Sequence, residues 1–241
     1  MTRLSFSPRL SPNIDVAAVR SEFAARGRAR VRDFLDADAA EELHRCLRER
    51  VPWKLAYSEN SVNVLADATN DPGAAPPDDL VQKIHALART GFQYLYRSYP
   101  MVTAYLSGAN PELPLNATLE WLNAPETLSF IRDVTGISTI RKGDAQATLY
   151  GPGNFLTLHD DTGAPKELRR VAYVLNLTRR WQADWGGLLQ FVDAAGEITD
   201  TWLPTFNTMA LFRVPVRHTV SYVAPFANEP RLAITGWFRD T

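Results

Sequence analysis

The feature that most constrains this chain is a change of periodicity near residue 138. From there onward short apolar runs alternate with turn residues, giving candidate strands over 144–150, 155–159, 170–177, 187–192, 198–203, 208–214, 217–223 and 231–238. Runs of this length and spacing specify strands rather than helices, and eight of them predict a sandwich or barrel. Upstream the period is helical. Asn13 or Asp15 can cap a helix carrying Val16, Val19 and Phe23, with Gly27 as its stop. Residues 31–35 read as a short strand, and Asp36 or Asp38 opens a second helix through Ala39, Leu43, Cys46 and Leu47. Residues 80–96 predict a third helix through Leu80, Ile84, Leu87, Ala88 and Leu95; Pro125 and Gly136 bracket a fourth. The expected fold class is α+β, mainly β: a double-stranded β-helix (jelly-roll) buttressed by N-terminal helices. No repeat or linker divides the chain. Residues 1–241 are therefore expected to form one domain, with 1–137 as helical buttress and flanking strands and 138–241 as the roll. The Asp-, Ala- and Pro-rich stretch 66–79 is long for a connection and reads either as a flap or as a disordered surface excursion.

Composition removes several function classes. One cysteine in 241 residues leaves no intrachain disulfide, zinc finger or iron–sulfur cluster, so any metal site must use nitrogen and oxygen ligands. A net charge of −1 argues against a generic nucleic-acid binder. No stretch approaches the ~18 apolar residues of a membrane span, and the first residues lack the apolar core of a signal peptide. The expectation is a soluble, cytoplasmic protein.

His159-Asp160-Asp161 ends the strand candidate 155–159. Strict alternation would put Phe155, Thr157, His159 and Asp161 on one face and Asp160 on the other. A His and a carboxylate two apart can occupy adjacent corners of a metal, and His218 is the only histidine downstream to supply a third. Two His and one carboxylate form the facial triad of non-haem Fe(II) oxygenases, which leaves positions open for a chelating 2-oxo acid and dioxygen. Alone, a His-x-Asp pattern is weak, and a solvated strand end explains it equally well. The final strand adds weight. In Arg231-Leu-Ala-Ile-Thr-Gly-Trp-Phe238, alternation puts Arg231, Ala233, Thr235 and Trp237 on one face and Leu232, Ile234 and Phe238 on the other. An inward arginine on a core strand needs an anionic partner. The far carboxylate of 2-oxoglutarate would fit its fork, with Thr235 adding a hydrogen bond; an exposed Arg231 paired with a surface acid is the alternative. Tyr150, with Thr148 and Gln146, can face the same cavity or serve as packing.

Together, Tyr150, His159-Asp160-Asp161, Trp185-Gly-Gly-Leu188, Phe206-Asn207, His218-x-Val220 and Arg231…Gly236-Trp-Phe238 resemble the 2-oxoglutarate/Fe(II) oxygenases of the prolyl hydroxylase class. The likeness, over roughly residues 140–240, is to the catalytic domain of the ribosomal-protein prolyl hydroxylases. The resemblance implies iron ligation by His159, Asp161 and His218. It also implies 2-oxoglutarate bound by Arg231 with Tyr150 and Thr235, dioxygen as oxidant, ascorbate as a stimulant, and Trp237 lining the pocket. Val174 stands where some relatives carry a second co-substrate tyrosine. Trp237 stands where the nucleic-acid demethylases of the superfamily carry a second arginine, so nucleic acid is not the expected substrate. The implied activity is hydroxylation of a prolyl residue in a protein or peptide. The alternatives are hydroxylation of a small molecule with the same cofactors and a jelly-roll binding module without turnover.

Several other residues carry structural expectations. Cys46 is expected to be a buried inert thiol, His44 a solvated residue on the opposite side of its helix, and His85 a helix-surface or boundary side chain. Gly186-Gly187 are expected in a hairpin turn. Arg169-Arg170 and Arg179-Arg180 are expected at a solvated strand edge, and Trp181, Trp185 and the 66–79 stretch at the cavity mouth. Oligomeric state is left open.

Overall fold

The structure, a computed structural model, describes residues 6–59, 62–67, 76–163 and 168–241. The 68–75 part of the expected flap lies outside the described residues. Helix α1 (Val16–Arg26) starts at Asp15, whose carboxylate accepts the Ala18 N–H, and ends at Gly27 in the left-handed conformation. Helix α2 (Ala37–Glu49) is capped in the same way by Asp36 and buries Ala39, Leu43, Cys46 and Leu47. Helices α3 (Asp78–Ala88), α4 (Met101–Ser107), α5 (Pro114–Leu122) and α6 (Pro125–Thr135) follow. The last two carry proline in the first turn, where its missing N–H costs no hydrogen bond.

Among the described residues, thirteen strands form one antiparallel sheet that curls into the expected roll. They are β1 (Arg28–Val31), β2 (Lys54–Glu59), β3 (Val62–Asp67), β4 (Tyr94–Tyr99), β5 (Lys142–Gly143), β6 (Gln146–Tyr150), β7 (Phe155–His159), β8 (Arg169–Asn176), β9 (Leu189–Val192), β10 (Ile198–Trp202), β11 (Thr208–Arg213), β12 (His218–Val220) and β13 (Arg231–Arg239). The main path runs β1-β11-β8-β13-β6-β4-β7-β12-β9-β10, with β2 and β3 added beside β4 and β5 beside β13. All eight strands expected after residue 138 are present.

The alternation of the core strands divides two apolar layers. Val171, Tyr173 and Leu175 of β8, with Leu232, Ile234 and Phe238 of β13, face outward into one core with α1, α2, α5 and α6. Ala172, Val174 and Ala233 face inward with Phe191, Trp202 and Phe212. The helices thus cover the roll's convex face, and its concave face is left for a cavity.

Three local expectations are corrected. The strand expected at 31–35 is β1, three residues earlier. A turn at Arg32–Asp33 follows it, and Leu35 makes an isolated bridge with Leu10 and is gripped by Asn207, whose amide accepts the Leu35 N–H at 2.9 Å and donates to its carbonyl at 2.8 Å. The helix expected over 80–96 ends at Ala88; Leu95 belongs to β4, where the alternating Tyr94 and Tyr96 favour a strand. His44 is not solvated: its Nδ1 meets the Leu177 carbonyl at 2.8 Å and docks α2 on the sheet.

Candidate metal and co-substrate site

The concave face encloses a cavity of ≈ 630 Å³ lined from β4, β6, β7, β8, β12 and β13. His159 and His218 enter it from the paired strands β7 and β12, directly opposite one another. Between the pairs His218–His159 and Val220–Leu156, β7 carries one residue more than β12, a β-bulge. The bulge overturns the strict alternation expected for β7. Leu156 and His159 both line the cavity, whereas Phe155 packs away from it against Leu55, Ile84 and Leu95. Asp161 does not lie on the strand either. The strand stops at His159, and Asp161 enters the cavity through a left-handed backbone (φ +62°) that aspartate tolerates better than most residues.

The three side chains meet as expected. Asp161 Oδ1 lies 3.3 Å from His159 Nε2 and Oδ2 lies 3.4 Å from His218 Nε2, and their ligand atoms all fall within 4.8 Å of one another. Each imidazole is oriented from behind. His159 Nδ1 meets the Thr157 carbonyl at 2.9 Å and His218 Nδ1 the Val216 carbonyl at 2.8 Å. A carbonyl can only accept, so each Nδ1 carries the proton and each Nε2 lone pair points at the shared centre. Burial, then the neighbouring His159, push the His218 pKa down to about 4. Burial alone would raise Asp161, yet its carboxyl is held below the ordinary carboxylate range by the adjacent imidazoles of His159 and His218. A carboxylate and two imidazole Nε2 atoms on one side of a point, facing an open cavity, suit a divalent first-row metal with free positions.

Arg231 is 3% exposed and faces the same cavity. Its Nε and Nη1 have no hydrogen-bond partner among the described residues, and its guanidinium carbon sits 5.1 Å from the Tyr150 ring centroid. A buried cation left with donors to spare is a site shaped for an anion. Tyr150, Thr235 and Trp237 line the cavity as well, and Ala233 packs beneath with Val174. Burial and the adjacent Tyr96 push the Tyr150 pKa well above 10, so its hydroxyl stays protonated and can donate.

The described donor set and the family comparison agree: the sequence profile of the 2OG-Fe(II) oxygenase superfamily matches residues 145–239. Residues 145–239 are thus similar to the domain of that superfamily. Among curated proteins it is similar to the mouse prolyl 3-hydroxylase OGFOD1, at 26% identity over 86% of this chain and 39% of that protein. The chain therefore spans about two-fifths of that relative's length. Among solved structures, a Pseudomonas putida prolyl-4-hydroxylase has the same fold, with a TM-score of 0.57, 21% identity, and coverage of 94% of this chain and 99% of the other. A Trichoplax adhaerens prolyl hydroxylase, solved with a peptide fragment of the hypoxia inducible factor oxygen degradation domain, reaches 0.63 at 16% identity, covering 93% and 89%.

The cavity also contains residues that sequence reasoning missed. Tyr94 and Tyr96 of β4 form an aromatic wall with Tyr150; Tyr96 and Tyr150 stack at 4.9 Å, and the Tyr94 hydroxyl donates to Asn63 at 2.6 Å. The alternation Phe92-x-Tyr94-x-Tyr96 was the available signal, masked by the helical periodicity just upstream. Three placements are corrected. Trp181 and Trp185 do not line the cavity; they pack behind Tyr150 with Val220 and Val223. Gly186 and Gly187 do not close a hairpin but let the chain pass against residues 221–223, where a Cβ on Gly186 would lie 1.9 Å from the Tyr222 carbonyl oxygen. Of the basic pairs, Arg170 meets Asp240 and Arg179 meets Glu41 on the surface, whereas Arg169 turns into the cavity.

Proposed function

We propose that this oxygenase hydroxylates a prolyl residue of a protein, with iron held by His159, Asp161 and His218 and 2-oxoglutarate held at its far carboxylate by Arg231. The observation that carries the co-substrate assignment is the buried Arg231 guanidinium with unpartnered Nε and Nη1. A dicarboxylate is the ligand that satisfies such a fork while its other end reaches a metal on the same cavity wall. Tyr150 and Thr235 complete the pocket as hydroxyl donors.

Fe(II) with 2-oxoglutarate and dioxygen supplies the oxidation: one oxygen atom enters a C–H bond, and the other leaves in succinate as carbon dioxide is released. The chain's own residues do the rest. Thr157 and Val216 carbonyls keep the Nδ1 protons of His159 and His218 in place, so both Nε2 atoms remain ligands. Asp161 contributes the single negative charge of the ligand set. Leu156, Val174, Leu189, Phe212 and Val220 give the cavity apolar wall that limits water around the reacting centre.

The prolyl substrate is supported by the likeness to a prolyl 3-hydroxylase and to two prolyl hydroxylase folds. The same proposal takes residues 1–241 as one catalytic unit, supported by the insertion of β4 between β6 and β7 and the pairing of β1 with β11. It includes ascorbate as a stimulating reductant and a cytoplasmic location. No helix among the described residues is long and apolar enough to cross a membrane. The test is turnover on a library of proline-containing peptides with Fe(II), 2-oxoglutarate and ascorbate. Succinate formation matched by the gain of one oxygen atom on a prolyl residue supports the proposal. Oxygen transfer to a free amino acid alone would assign a small-molecule substrate, and no succinate would leave a binding module.

A further inference from the structure

Asp161 holds its left-handed backbone with partners at both ends. The two histidines steer its carboxylate end. Its carbonyl end accepts a hydrogen bond from Arg169 Nη1 at 3.2 Å. Arg169 lies over the Trp237 ring, with 3.8 Å from the guanidinium carbon to the ring centroid. Trp237 belongs to the cavity face of β13, and its backbone N–H donates to the Asp144 carboxylate at 2.7 Å. The linkage is continuous: β13 fixes Trp237, Trp237 fixes the plane of the guanidinium, and the guanidinium presents its N–H to the Asp161 carbonyl. A planar, stacked guanidinium holds a donor in one direction, which a flexible ammonium cannot.

We propose that Arg169, clamped against Trp237, is a positioning residue that sets the Asp161 carboxylate in its metal-binding pose. The inference rests on the reading of Asp161 as a metal ligand. It separates Arg169 from its surface neighbours Arg170 and Arg179, which meet acidic partners on the outside of the sheet.

The test is Co(II) titrated into the metal-free full chain, followed by calorimetry and by the visible absorption of the bound ion. Wild type is compared with Arg169→Ala, Arg169→Lys and Asp161→Ala. Loss of an outer partner of a metal ligand typically weakens metal binding by ~10–100-fold. Arg169→Ala is expected in that range with an altered absorption band, and Arg169→Lys between it and wild type. A merely structural role would leave the band unchanged. Asp161→Ala binding Co(II) like wild type would overturn the reading of the ligand set itself. Asp161→Ala losing Co(II) while the Arg169 variants keep wild-type affinity and spectrum would overturn only the positioning role. If Arg169→Ala fails to fold, Arg169→Lys decides: wild-type affinity and band contradict the inference, and weakened binding with a shifted band supports it. An Arg169→Lys effect confined to the KM for substrate, with Co(II) binding unchanged, also overturns it.

Discussion

Replacing Arg231 with methionine should move ligand affinity and protein stability in opposite directions. Methionine keeps much of the buried volume but removes the charge and the fork. In the ligand-free protein, Nε and Nη1 lack a partner among the described residues, and burial already works against the charge. Removing it therefore relieves a desolvation cost, and the metal-free Arg231→Met protein should melt at or above the wild-type temperature. In the bound state the same change strands the far carboxylate of 2-oxoglutarate. At ~4 Å and an effective dielectric of ~20, one such pair is worth about 4 kcal/mol. Truncating one partner of a buried, hydrogen-bonded pair costs about 2–5 kcal/mol. Taking about 3–5 kcal/mol, the dissociation constant for 2-oxoglutarate should rise roughly 100- to 5,000-fold. Calorimetric titration with Mn(II) in place of iron, paired with thermal unfolding of the metal-free protein, reads both. A wild-type 2-oxoglutarate affinity would refute the co-substrate assignment. A large fall in melting temperature with affinity retained would make Arg231 a structural residue instead.

Four further outcomes follow from the packing. Burial pushes the Cys46 thiol up to about 12, whereas an unfolded thiol titrates near 9. The native state thus holds a proton that the unfolded state releases. Wild type should lose stability relative to Cys46→Ala as pH rises from about 9 toward 12, at up to about 1.4 kcal/mol per pH unit, and a flat difference in urea unfolding would contradict it. Below pH 8 the thiol should resist alkylation until the chain is unfolded, as read by mass spectrometry. Asn207→Ala removes both hydrogen bonds to Leu35 and leaves its buried backbone polar groups unpaired; about 2–3 kcal/mol and a melting point lower by roughly 5–10 °C are expected by calorimetry. Gly186→Ala combines a positive φ of 68° with a Cβ placed against the Tyr222 carbonyl, so it should cost about 2–4 kcal/mol in chemical denaturation, and a neutral result would mean the 186–187 strap is free to move.

The strands after residue 138 were legible because each is short, apolar and bounded by turns, and because β8 and β13 alternate cleanly between the two layers of the roll. Arg231 was legible for the same reason: an arginine in step with Ala233 and Thr235 must face inward. His159 and Asp161 were found by spacing, but the reason offered for their meeting was wrong. A bulge in β7 and a left-handed turn at Asp161 bring them together, and neither is written into a two-residue period. Bulges depend on the partner strand, which local sequence does not encode. The aromatic wall was lost for a related reason. The helical pattern of 80–88 runs into Leu95, and a single apolar residue in phase extended the helix over a strand. Asn207, a polar residue far from Leu35 in sequence, gave no local sign that it would hold the Leu35 backbone. Arg169 carried no periodic signal separating it from Arg170; only the stacking on Trp237 does so.

The proposed site is a single one in which His159, Asp161 and His218 hold a metal and Arg231 holds the far end of 2-oxoglutarate. A crystal structure of the full chain with Mn(II) and 2-oxoglutarate, with the metal located by its anomalous signal, measures this directly. The expected density shows the metal bound by both Nε2 atoms and the Asp161 carboxylate, the keto acid chelating it, and the distal carboxylate in the Arg231 fork beside Tyr150. A metal bound elsewhere, or a 2-oxoglutarate carboxylate that leaves Arg231 unpaired, would contradict it.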